Sequence, residues 1–93
     1  MRANDDGLMD QSLKARLLEA ADLALAGNWQ AAHVIAQDHE GERLANWIHA
    51  VVHRMEGDLG NARYWYGRCG RGSVEPLSTE AELRQIREEL NEG

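Results

Sequence analysis

Residues 47–70, WIHAVVHRMEGDLGNARYWYGRCG, carry the pattern that decides the fold. The first part places apolar side chains at helical spacing and stops at Gly57, a residue that readily takes the left-handed backbone found after a helix. Asp58 follows, and aspartate is a favoured N-cap for a new helix. Because a connection this short joins neighbouring antiparallel helices, the stretch predicts a helix hairpin.

A second hairpin is predicted on its N-terminal side. Asp10 or Ser12 is expected to cap the first helix, which ends at Gly27. Asn28 can cap a second helix that ends near the polar sequence DHEGE, and the third helix begins near Gly41. The chain contains one proline and shows no β-branched alternation, which also favours helices.

The last helix is predicted from STEAELRQIREELNE, where Thr79 and Glu82 match a T-x-x-E capping box. Leu83, Ile86 and Leu90 then form a narrow apolar stripe. We expect an all-α fold of five short helices in a single domain over residues 1–93. Its parts are a disordered segment over residues 1–10, two stacked antiparallel hairpins over residues 12–72, and an amphipathic C-terminal capping helix over residues 78–91.

Small residues recur at one interval within each hairpin. Ala20 precedes Ala32 by twelve residues, and Ala50 precedes Ala62 by twelve. In this the chain resembles the tetratricopeptide repeat, in which small residues let paired helices approach closely. Ala62 and Tyr66 match its A-x3-F pattern, although the repeat interval is shorter than the family's roughly 34 residues. The resemblance implies stacked hairpins with a concave face for a protein or peptide partner.

Residues 47–70 also resemble a segment of small uncharacterised bacterial proteins, a similarity that implies no activity. Composition argues against two classes of function, nucleic-acid binding and membrane spanning. A net charge of −6 argues against nucleic acid as a partner, since phosphates require clustered Lys and Arg. No stretch is apolar enough for a membrane span, and the single cysteine, Cys69, suits a reducing compartment. We therefore expect a cytoplasmic monomer or weak homodimer, with Cys69 as a packed small residue.

One polar stripe crosses the otherwise apolar third helix. Two imidazoles one turn apart, His49 and His53, with Glu56 three residues further on, can in principle ligate a divalent metal. The alternative is that the stripe faces solvent or lines the groove between the hairpins. His33 and His39 are expected to lie elsewhere, so the sequence predicts no metal and no cofactor. The stripe consists of Glu42, Asn46, His49, His53 and Glu56.

Three consecutive aromatic residues, Tyr64, Trp65 and Tyr66, cannot share one face of a helix, because successive side chains point about 100° apart. Tyr66 falls on one stripe with Leu59 and Ala62 and is predicted to be the core ring. Trp65 and Tyr64 diverge to either side, so we expect at least one of them to reach past the core.

These observations favour a non-catalytic protein–protein interaction module. A metal-assisted or His-dependent enzyme centred on His49, His53 and Glu56 is the alternative. RNA binding through stacked rings is a third hypothesis, disfavoured by the net charge. An acidic C-terminal helix could also dock on the arginine-rich residues 54–72. The predicted partner-binding residues are His49, His53, Arg63, Tyr64, Trp65 and Arg68.

Overall fold

The computed structural model describes residues 10–70 and 77–92, and within them the chain forms helices and no strand. The predicted all-α fold is confirmed. The disorder predicted for residues 1–10 lies outside the described residues, except at Asp10. None of the described helices is both long and apolar enough to cross a bilayer. The helices are α1 (Gln11–Leu25), α2 (Trp29–Gln37), α3 (Arg43–Glu56), α4 (Leu59–Arg68) and α5 (Thr79–Glu92).

Three helix starts and two helix ends follow from local sequence. The side chains of Asp10, Asn28 and Asp58 each accept a backbone N–H bond at the start of the next helix, as predicted. Gly27 and Gly57 both adopt a φ of 90°, which a residue with a Cβ takes only at a cost. The chain can therefore reverse within a few residues after α1 and after α3.

The four alanines that are twelve residues apart lie at the helix crossings. Ala20, Ala32, Ala50 and Ala62 have no exposed surface. Their small size allows α1 to pack on α2 and α3 to pack on α4, and α2 also packs on α3. These contacts agree with two hairpins stacked in series.

The C-terminal helix packs along α1 and α3, and it reaches α4 through the hydrogen bond between Glu82 and Tyr66. Its predicted apolar stripe is confirmed, because Leu83, Ile86 and Leu90 are all buried. The predicted capping helix α5 therefore lies along both hairpins, on α1 and α3. On α4, the side chains of Arg63, Tyr64 and Arg68 are left exposed.

The capping box predicted at the start of α5 is wrong. Ser78, one residue earlier than Thr79, accepts the backbone N–H of Ala81 through its hydroxyl at 3.0 Å. Glu82 does not turn back to the helix terminus, because its carboxylate is fully buried among side chains of α3 and α4. A tertiary contact thus replaces the local one.

The buried Glu82 carboxylate is the polar centre of the core. It accepts hydrogen bonds from Trp47 Nε1 at 2.8 Å and from the Tyr66 hydroxyl at 2.9 Å, and it pairs with Arg54. Burial raises the pKa of Tyr66 to about 12, and the neighbouring carboxylate acts in the same direction. The three donors come from α3 and α4, so this carboxylate fixes α5 against both helices of the second hairpin.

Candidate functional site

The central residues of the polar stripe of α3 are buried. The sequence left two possibilities for this stripe, that it faces solvent or that it lines the groove between the hairpins. Asn46, His49 and His53 are 4%, 3% and 9% exposed. Side chains from α2 and α4 cover the two imidazoles. The interpretation that the stripe lines the groove between hairpins is therefore the correct one for its central residues.

His33 on α2 lies against both imidazoles of α3, so the expectation that it lies elsewhere is wrong. Its ring centroid is 4.7 Å from that of His49 and 5.3 Å from that of His53, both in edge-on contact. One ring nitrogen from each of the three residues lies within 4.8 Å of the other two. We call His33, His49 and His53 the histidine cluster.

Two of the cluster's ring nitrogens have well-defined surroundings. His53 Nδ1 is 2.8 Å from a carboxylate oxygen of Glu56, whereas His49 Nδ1 is buried and has no hydrogen-bond partner among the described residues. Burial, with smaller contributions from His33 and His53, lowers the pKa of His49 to about 4. The His49 imidazole is therefore neutral at pH 7.

Trp65 covers the other side of His49. The two rings stack with their centroids 3.9 Å apart and their planes at 12°. Trp65 is only 9% exposed, so of the two rings that diverge from Tyr66 it is the one that packs inside the molecule. Tyr66 is fully buried, as predicted, while Leu59, placed on the same buried stripe by the sequence, is 52% exposed.

Tyr64 is the aromatic residue that reaches solvent. It is 55% exposed, and its ring lies edge-on to Trp65 at 5.0 Å. The Arg68 guanidinium donates to the Tyr64 hydroxyl at 3.0 Å and lies over the Trp65 ring, 5.2 Å from its centroid. Arg63 is exposed on the same helix. We call Arg63, Tyr64 and Arg68 the α4 patch.

Five of the six predicted partner-binding residues form one unbroken series of contacts. It runs from His53 to His49, then to Trp65, and ends at Tyr64 and Arg68. The structure divides this series into a buried inner part and an exposed outer part. Only the outer part, the α4 patch, can contact a partner without rearrangement.

Cys69 behaves as the predicted packed residue, because it is buried and its thiol donates to the Tyr66 carbonyl at 3.4 Å.

The chain matches no family model, no curated protein and no solved structure. The tetratricopeptide resemblance therefore stays a prediction, and function is argued from the geometry of the site.

Proposed function

We propose that this chain is a small helical interaction module, without catalytic activity of its own, that binds an acidic segment of a partner protein at the α4 patch. The observation that carries the proposal is that α4 packs along α3 and reaches α5 through its buried Tyr66, while Arg63, Tyr64 and Arg68 are left exposed. Its Tyr64 and Arg68 side chains are paired with each other and exposed together. An additional helix or a partner segment can lie there without displacing any described element.

The charge of α4 favours an acidic partner. The helix carries Arg63 and Arg68 and no aspartate or glutamate, in a chain whose net charge is −6. A guanidinium presents parallel N–H donors that match a carboxylate. Arginine and tyrosine are also among the residues that most often anchor interfaces. A partner segment with carboxylates flanking an apolar side chain would complement this patch.

The α4 patch is already ordered before any partner binds. The hydrogen bond from Arg68 holds the Tyr64 hydroxyl, and Trp65 supports the edge of the Tyr64 ring. Trp65 is in turn held by the stack on His49. Because immobilising a flexible side chain costs about 0.5–1.5 kcal/mol on binding, this arrangement favours association.

The position of Trp65 disfavours the hypothesis of RNA binding through stacked rings. Base stacking requires an accessible aromatic face, but Trp65 has His49 on one face and is 9% exposed. Arg68 occupies space beside the same ring. A protein segment that uses Tyr64 and the arginines needs no access to Trp65.

Selection from a random peptide library tests the proposal, because such a library offers acidic, basic and apolar segments in equal competition. We expect the selected peptides to be enriched in aspartate and glutamate. Tyr64→Ala and Arg68→Ala should each weaken their binding at least tenfold, about 1.4 kcal/mol, as expected for interface anchors.

Two matched controls lie away from the patch. Val34→Ala removes an apolar side chain on α2 that is as exposed as Tyr64, and Arg16→Ala removes an exposed arginine on α1. Both should leave peptide affinity unchanged. Selected peptides without acidic enrichment, or binding that is insensitive to Arg68→Ala, would contradict the proposed function.

A further inference from the structure

We propose that the histidine cluster is a binding site for one divalent transition-metal ion of the class that imidazole ligands suit, with Zn²⁺ as the ion used to test it. This inference is independent of the α4 patch and goes beyond the proposed interaction. It replaces the prediction of no bound metal, which rested on ligands from a single helix. His33 supplies a third imidazole from a second helix.

The distances between the ring nitrogens of the histidine cluster are close to those between nitrogen ligands around a bound ion. A tetrahedral Zn²⁺ lies about 2.0–2.1 Å from each imidazole nitrogen, which places two such nitrogens roughly 3.4 Å apart. The three cluster nitrogens lie within 4.8 Å of one another without an ion. Binding an ion therefore requires these nitrogens to move closer together by about 1 Å, and His33, which is only half-buried, is the ring with the most room to do so.

Glu56 orients one of the proposed ligands. Metal-binding histidines commonly hold a carboxylate on the ring nitrogen that does not face the metal, which fixes the ring and makes the ligand more basic. His53 Nδ1 contacts the Glu56 carboxylate at 2.8 Å, which leaves His53 Nε2 for the ion. The carboxylate, 36% exposed, also places a negative charge next to the site.

His49 supplies the second, independent observation. Its Nδ1 atom is buried without a hydrogen-bond partner among the described residues. A buried polar atom left unpaired is unfavourable, and an ion is one of the partners that accounts for such an atom. Stacking on Trp65 limits the motion of the ring, so a ligand is held in place by packing.

The chemistry of three imidazole ligands selects the class of ion. Nitrogen ligands of this kind suit zinc, copper, nickel and cobalt, whereas magnesium and calcium require oxygen ligands. A set of three histidines is typical of zinc sites that keep one position for water or another ligand. We therefore expect Mg²⁺ not to compete with Zn²⁺.

A chelator competition titration of the metal-free protein with Zn²⁺ tests the inference. We expect one equivalent per chain, and a Co²⁺-loaded sample with the visible absorption of tetrahedral cobalt. His33→Gln is the decisive variant, because His33 is only half-buried and glutamine keeps the side chain polar. It should lower Zn²⁺ affinity at least 100-fold, and Glu56→Gln should lower it about 10- to 100-fold.

His39→Gln, which changes a half-buried histidine outside the cluster, is the matched control and should leave the titration unchanged. Circular dichroism of His33→Gln verifies that the helices persist, so that a loss of affinity reports a lost ligand. The inference is overturned if Zn²⁺ binds at less than one equivalent, or if His33→Gln binds it as well as the unmodified chain does. Peptide binding by the α4 patch is measured separately in chelator, so either proposal can fail alone.

Discussion

Replacing Glu82 by alanine is expected to destabilise the protein strongly. The carboxylate is fully buried and accepts hydrogen bonds from Trp47, Tyr66 and Arg54. Glu82→Ala removes the acceptor shared by these donors and leaves the mostly buried Arg54 guanidinium without its counter-charge.

The expected loss is about 3–5 kcal/mol, the usual effect of removing one partner of a buried ion pair. The contacts of Arg54 favour the lower half of this range. Its guanidinium also donates to the Leu77 carbonyl at 2.9 Å and to the Tyr66 hydroxyl at 3.2 Å, and both acceptors persist in the variant. We therefore expect about 3 kcal/mol, a large fraction of the roughly 5–15 kcal/mol that stabilises a domain.

Urea unfolding at pH 7, followed by tryptophan fluorescence, measures this loss. With an m-value of about 1.5 kcal/mol/M the midpoint should fall by about 2 M. Glu80→Ala is the matched control, because Glu80 is 62% exposed and pairs with Arg84 only at the surface. That change should cost about 0.5 kcal/mol or less. If both variants lost the same small amount, Glu82 would not be the anchor of α5.

The core and the site give three further predictions. Trp65→Ala should cost about 3–5 kcal/mol, as much as Tyr66→Ala, because both rings are buried; urea unfolding that separates the two variants by more than about 2 kcal/mol would contradict this. Ala62→Leu should overpack the crossing of α3 and α4 and cost about 1–3 kcal/mol, and an unchanged melting temperature would show that the crossing has room. The pKa of His49 is lowered from 6.5 to about 4, so below pH 6.5 the unfolded chain binds the proton first, and metal-free protein should lose up to about 3 kcal/mol as pH falls to 4. Urea unfolding of His49→Gln in EDTA should lack this part of the pH dependence, and identical profiles would contradict it.

The helix boundaries could be predicted from sequence because their causes are local. A capping side chain and a glycine act within one turn of the helix that they begin or end, as Asp58 and Gly57 do. The start of α5 shows where local reasoning fails. Glu82 stands three residues after Thr79, but three buried donors from other helices compete for its carboxylate. The tertiary contacts prevail over the capping box.

The histidine cluster could be predicted only in part. His49 and His53 are one turn apart on one helix, and their spacing is visible in the sequence. The contact with His33 depends on how α2 packs on α3, which no periodicity within one helix specifies. The sequence held one indication of this contact. In the mostly apolar helix WQAAHVIAQ, His33 is the residue whose side chain can bind a metal ion.

The positions of the three consecutive aromatic residues, Tyr64, Trp65 and Tyr66, could also be predicted only in part. The sequence correctly placed Tyr66 in the core, but it could not decide between Trp65 and Tyr64 as the exposed ring. Trp65 is buried because His49 offers a flat face for stacking. That face exists only once α3 and α4 have packed. Tyr64 then remains as the surface residue of the run.

Chemical-shift mapping of ¹⁵N-labelled protein with the tightest-binding acidic peptide tests the central claim most directly. If the α4 patch is the partner site, the largest amide shifts fall on residues 63–68 and disappear in Arg68→Ala, while the buried helix α3 changes little. A competing surface is the apolar groove along α1, which includes Leu18 and Leu23. Shifts concentrated along that groove, or spread over no contiguous surface, would contradict the account.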